Sequence, residues 1–165
     1  MMNDIHIRPL LFSDQTFLED MLYQSLYVPE GHEPFPRDII HLPELAKYVE
    51  HWGQVGDIAF IAVDSKKNLP VGAIWLRLLK GSQKGYGYVN DETPEVGIAV
   101  LPEYRGQGIG THLFVQLFEV ASVLYDAISL SVSKGNPARK LYEHLGFEVF
   151  AEDETSITML KHLVR

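Results

Sequence analysis

Cysteine is absent from this sequence of 165 residues, which excludes disulfides, a thiolate-ligated metal and an acyl-cysteine intermediate. Any acyl transfer on the chain is therefore expected to be direct. No run of about 20 apolar residues, the length that crosses a bilayer, is present either, and the first residues already carry Asp4, His6 and Arg8. No membrane association and a cytoplasmic location are the expectations. Lys and Arg number 14 against 22 Asp and Glu, a formal charge of −8, and the cations form no long cluster that would neutralise a phosphate backbone. Nucleic acid is not an expected partner. Among the seven histidines no pair has the H-x-x-x-H spacing that sets two imidazoles on one helical face, so no metal is expected. Repeats, linkers and low-complexity tracts are lacking as well.

With 46% of residues apolar and 22% charged, the chain is long enough to bury a core as one domain spanning residues 1–165. Residues 5–9 alternate as a strand, and Ser13 and Asp14 are placed to cap a helix carrying Phe17, Leu18, Met21, Leu22 and Leu26 at helical spacing. From 28 to 43 the chain holds four prolines and the acids Glu30, Glu33 and Asp38, the composition of an irregular loop long enough to border a site. Pro43 is suited to start a second helix with Leu45, Val49 and Trp52 on one face and Gly53 at its exit.

Strands follow: a continuous apolar run at 58–63, a second at 71–79 and a third at 95–101. Segment 81–90, with Gly85 and Gly87, reads as a strand end plus loop. Residues 108–124 form a helix pattern with Leu113, Phe114, Leu117, Ala121 and Leu124 facing inward, and 128–133 alternate strictly as a strand. Asn136 and Gly146 bracket a short helix at 137–145, and residues 147–151 and 156–160 are expected to pair across Asp153 and Glu154.

The chemistry concentrates in Glu95-Val-Gly-Ile-Ala-Val-Leu-Pro-Glu-Tyr-Arg-Gly-Gln-Gly-Ile-Gly-Thr111, where a strand runs through a glycine-rich turn directly into a helix. Gly106, Gly108 and Gly110 clear side chains from the turn, so successive N–H groups and the positive end of the helix can converge on one anion. The even glycine spacing does not fit the G-x-G-x-x-G dinucleotide fingerprint, and Thr111-His112 after Gly110 does not complete a P-loop.

Arg105-Gly-Gln-Gly108-Ile-Gly110 resembles the cofactor loop of the GNAT superfamily of N-acetyltransferases, Arg/Gln-x-x-Gly-x-Gly/Ala, at every defined position. The preceding Gly-Ile-Ala-Val-Leu-Pro-Glu-Tyr looks like that family's fourth strand, and Asn136-Pro-Ala-Arg-Lys-Leu-Tyr142-Glu-His-Leu-Gly-Phe147 looks like its second signature. The resemblance implies a single-domain α/β (α+β) fold: a mixed central sheet of about six to seven strands with about four helices, its fourth and fifth strands splayed. It implies acetyl-CoA as cosubstrate, with backbone groups of Ile98 and Val100 along pantetheine and the N–H near Val100 polarising the thioester carbonyl. Gly106, Gln107, Gly108, Gly110 and Thr111 would hold the diphosphate, Arg105 would frame the turn, and Asn136 would reach the pantetheine amides or cap its helix.

Two catalytic roles follow from the same resemblance. Glu95 would act as general base through water, with Asp91 and Glu92 as substitutes, because an amine of pKa about 10.4 must lose a proton before it attacks, or else be an exposed strand-end carboxylate with no such duty. Tyr142 would be the general acid for the leaving thiolate, or else pack its ring against Phe147. The expected partner is a small-molecule or peptide amine, drawn by the acids between Glu30 and Asp38 and flanked by Tyr86, Tyr88 and Asp91; a homodimer through the last hairpin is also expected. A non-catalytic acyl-CoA-binding module and a nucleotide-dependent enzyme are the competing readings.

Overall fold

The computed structural model describes residues 4–164. Its frame is a sheet of seven strands, Ile5–Pro9 (β1), Ile58–Asp64 (β2), Leu69–Arg77 (β3), Glu95–Val100 (β4), Ala127–Ser133 (β5), Glu148–Glu152 (β6) and Ser156–His162 (β7), in the order β1-β2-β3-β4-β5-β7-β6. Every neighbouring pair is antiparallel except β4 and β5, which are parallel. Among the described residues four α-helices complete it: Gln15–Gln24 (α1), Pro43–Ala46 (α2), Ile109–Leu124 (α3) and Arg139–His144 (α4). None of the helices among the described residues is long and apolar enough to cross a membrane.

The helices cover both faces of the sheet because its central strands are apolar on both. β2 is buried along its whole length. On one face Leu113, Phe114, Leu117 and Ala121 of α3 pack over Phe60, Ile74, Val96, Ile128 and Leu130. On the other, Leu18, Met21 and Leu22 of α1 pack over Ile61, Ala73, Trp75 and Ala99. Period-two alternation along each strand sorts its side chains between these layers. Gly97, opposite Trp75 in the register, has a specific reason to be glycine: a Cβ there would run into the Trp75 indole ring.

Local structure departs from expectation at several points. Asp14 does not cap α1; its carboxylate accepts hydrogen bonds from the Leu11 N–H at 2.7 Å and from Arg8 at 2.7 and 3.1 Å, tying β1 to the turn before the helix. Pro43 does open a helix, but α2 ends at Ala46 and the chain continues in turns to His51, where φ is +52°. The physical reason is the buried Arg77 guanidinium, which donates to the carbonyls of Lys47, Glu50 and His51 and pairs with Asp57, so it collects oxygens that a longer helix would have used. Leu124 is exposed rather than inward, and Tyr125, the next residue, packs against the core instead, its hydroxyl on the Gly56 carbonyl. The strand read at 71–79 lies two residues earlier, and 81–90 contains a short 3₁₀ turn and loop without strand.

Candidate functional site

β4 and β5 meet only at Glu95 opposite Ser129, with the Ser129 N–H on the Pro94 carbonyl at 2.9 Å. Beyond that bridge the strands separate. The Leu101 N–H donates to Val71 in β3, so by the alternation of strand hydrogen bonding the backbone groups of Ile98 and Val100 face the opposite way, into the gap. The Val100 carbonyl there accepts from Arg105 Nε at 2.9 Å, while a second Arg105 nitrogen lies 3.5 Å from Gln24 Oε1. Arg105 thus joins the end of β4, the glycine turn and the end of α1.

The turn itself holds Gly106 at φ +77° and Gly108 at φ +84°, left-handed backbone that favours glycine. Gly108 is the N-cap of α3, whose first turn carries no acidic residue, so its unpaired N–H groups and positive dipole end are open to an anion. A Cβ at Gly106 or Gly108 would meet nothing within 4 Å. Their conformation, rather than crowding by the protein, requires glycine, and the space in front of them suits a phosphate group. A Cβ at Gly110 would touch Leu141 and Ile98 at ordinary distances.

Gap and turn open into one groove of about 1140 Å³. Ile98, Val100, Arg105, Gly106, Gly108, Gly110, Thr111, Asn136 and Tyr142 all line it, so the structure brings together nine of the residues expected at the site; Gln107 and Glu95 are not on the lining. Asn136 Oδ1 accepts from the Ala138 N–H at 2.9 Å, an Asx turn ahead of α4, and its side-chain NH₂ has no partner among the described residues. Helix entry and a donor at the groove wall coexist in one side chain. Tyr142 stands edge-on to Phe114 and Phe147, with ring centroids 5.9 and 6.1 Å away. Its hydroxyl has no hydrogen-bond partner among the described residues, and burial pushes the phenol up to about 12.

Glu95 is 2% exposed, at the start of β4. Its carboxylate accepts from the Gly87 N–H at 2.8 Å, the Gly85 N–H at 3.0 Å and the Tyr48 hydroxyl at 3.0 Å. Tyr48 in turn accepts from the Tyr86 N–H at 2.7 Å, and Ser129 Oγ donates to the Gly87 carbonyl at 2.7 Å. Burial raises the Glu95 carboxyl, and the three donors pull the other way. Tyr86, Tyr88, Asp91, Glu30 and Glu33 do not line the groove.

A family model described as the acetyltransferase (GNAT) domain matches residues 55–149. The chain belongs to the GNAT family. Solved GNAT structures share the fold at low sequence identity. The PaiA N-acetyltransferase of Thermoplasma acidophilum, in complex with coenzyme A, is 21% identical with a TM-score of 0.68 over 96% of this chain and 98% of that one. The yncA protein of Salmonella typhimurium, solved with its cofactor acetyl-CoA, is 18% identical at 0.70, over 98% and 95%. The spermidine/spermine N-acetyltransferase SpeG of Vibrio cholerae is 21% identical at 0.61, over 97% and 93%. No curated protein sequence matches.

In this GNAT domain the groove is also lined by residues not assigned to it from the sequence, Tyr23, Gln24, Ser25, Leu26 and Tyr27 at the end of α1 and Val28, Pro34 and Phe35 in the loop expected to border a site. That proline-bearing loop was the only signal. Also unanticipated is Tyr104, whose hydroxyl donates to Asp64 Oδ2 at 2.7 Å and moors the approach to the glycine turn on the end of β2.

Proposed function

We propose that this GNAT domain transfers an acetyl group from acetyl-CoA directly to a primary amine. The observation that carries this reading is the convergence, in one groove, of the unpaired β4 edge and the glycine-turned N-terminus of α3. Acetyl-CoA supplies a thioester carbonyl already activated for attack.

The residues divide the work. Main-chain N–H groups from Gly106, Gly108, Gly110 and Thr111, with Gln107 completing the turn between them, hold the diphosphate, an anion at a helix N-terminus. The Ile98 and Val100 backbones pair with pantetheine as a further strand would. Arg105 holds the Val100 carbonyl, leaving the Val100 N–H to polarise the thioester oxygen. The Asn136 NH₂ donates to a pantetheine amide. As the amine nitrogen bonds to the carbonyl carbon and the C–S bond breaks, the Tyr142 hydroxyl donates a hydrogen bond to the departing sulfur. A phenol pushed up to about 12 does not readily give its proton outright to a thiolate of pKa about 8.5. The proton shed by the amine balances the sulfur instead.

Glu95 enters as a positioning residue. Its carboxylate fastens segment 85–87 to Tyr48 and, through Gly87 and Ser129, to β5, off the groove lining. Glu95→Gln replaces one acceptor oxygen by an NH₂ facing an N–H, and is expected to destabilise the fold by about 1–3 kcal/mol. Its kcat should stay within about tenfold of the parent with an unchanged pH profile, whereas a general base would cost 10²–10⁴ and shift the acid limb. Steady-state rates against pH separate the two.

Titration calorimetry with acetyl-CoA, followed by thiol release with a panel of amines, tests the proposal as a whole. Saturable binding and amine-dependent release are expected. Folded protein that gives no heat with acetyl-CoA ends the reading, and binding without turnover replaces it by a non-catalytic acyl-CoA-binding module.

A further inference from the structure

We infer that the acceptor is the α-amino group of an apolar residue whose carboxyl is already in an amide, an inference that rests on the acetyl-CoA reading of the groove. The lining given by the end of α1 and the loop after it is mostly aromatic and aliphatic, Tyr23, Leu26, Tyr27, Val28, Pro34 and Phe35, with Gln24 and Ser25 as its uncharged polar members. Its two tyrosine hydroxyls are turned to backbone, Tyr23 donating to the Phe35 carbonyl at 2.6 Å and Tyr27 to the Gly135 carbonyl at 3.2 Å, so both tyrosines have their polar tips occupied. Tyr27 thereby ties this wall to the segment leading into α4.

Charge is sparse along the groove. Among the described residues the lining includes one charged side chain, Arg105, already bonded to Val100 and close to Gln24, and it includes no carboxylate, lysine or histidine. The acids Glu30, Glu33 and Asp38 sit exposed between α1 and α2 and off the lining, and the buried Glu95 carboxylate, bound by its three donors, is off it too. The loop's acidity therefore does not supply the cation site that its composition implied.

Two consequences bear on the acceptor. A polyamine would bring further ammonium groups against an apolar wall without a counter-charge, a costly desolvation. An amine entering a groove without a lining base must arrive neutral. An α-amine with pKa about 7.7–8.0 is roughly one-third neutral at pH 7.5, whereas a lysine-like amine near 10.4 is neutral to roughly one part in a thousand. The apolar wall favours the neutral form further and gives an apolar side chain a place to bury. A peptide amino terminus and a small amino-acid amide share this chemistry.

The experiment measures kcat/KM, with acetyl-CoA saturating, for a Phe-Gly-Gly amide, phenylalaninamide, an Asp-Gly-Gly amide, Nα-acetyl-lysine amide and spermidine. The phenylalanine compounds should exceed the aspartate peptide by about tenfold and the lysine derivative and spermidine by about a hundredfold. Phe35→Ala should lower the Phe-over-Asp preference by about tenfold while the calorimetric Kd for acetyl-CoA stays within about twofold. Preference for the tripeptide over phenylalaninamide marks a polypeptide acceptor, and parity marks a small amide. Equal or better use of spermidine or the lysine derivative overturns the inference, as does a Phe35→Ala variant with an unaltered preference. Those results leave the acetyl-CoA reading standing; absence of acetyl-CoA binding removes both.

Discussion

Gly108→Val is expected to weaken acetyl-CoA binding by about a hundredfold, read as Kd by calorimetry, with the fold retained. Gly108 occupies φ +84° at the N-cap of α3, and an L-residue in left-handed backbone costs roughly 1–2 kcal/mol, more when it is β-branched. The chain relieves that cost by rotating the turn, which takes N–H groups away from the diphosphate; each charge-assisted hydrogen bond lost is worth about 1.5–3 kcal/mol. Loss of one or two such bonds covers the roughly 2.8 kcal/mol that a hundredfold change requires. Because a Cβ at Gly108 meets nothing within 4 Å, the core is untouched, and circular dichroism should report the same secondary structure. An unchanged Kd would remove the turn from the binding site and, with it, the case for the diphosphate.

Tyr142→Phe is expected to reduce kcat by about a hundredfold at neutral pH and to leave the acetyl-CoA Kd within about twofold, the pattern of a group that acts on the leaving sulfur. The ring remains available to pack against Phe114 and Phe147, so a large change in melting temperature would show instead that the hydroxyl is structural. In the parent enzyme the phenol is pushed up to about 12, so ionisation of Tyr142 should not produce an alkaline loss of kcat near pH 10. The same elevation links to stability: the unfolded phenol ionises near 10, so its contribution is full below about pH 10 and is lost as the pH rises toward 12. A kcat for Tyr142→Phe within a few-fold of the parent would assign the leaving-group role elsewhere.

Legibility in the sequence followed the range of the interactions involved. The glycine turn could be read because its requirement is local: Gly106 and Gly108 need left-handed backbone, and the α3 N-terminus follows immediately in the chain. β2 and α3 could be read because apolar periodicity reports burial directly. The end of α2 could not, since it depends on Arg77, nearly thirty residues away, drawing in the carbonyls of Lys47, Glu50 and His51. Glu95 shows the same limit. A carboxylate at a strand start looks the same in sequence whether it faces a substrate or holds Gly85, Gly87 and Tyr48.

The segments Glu95–Thr111 and Asn136–Phe147 together carried the resemblance to the family, and the mixed sheet of about six to seven strands came with that resemblance. The strand–glycine turn–helix order was legible because it is a matter of short-range backbone geometry. The character of the lining after α1 was settled by folding alone. Tyr23, Tyr27 and Phe35 line the groove while Glu30 and Glu33 do not, and Tyr27 is held there by Gly135, far away in the chain. Composition of a loop sets how many charges it carries; the packing of its backbone sets which of them face inward.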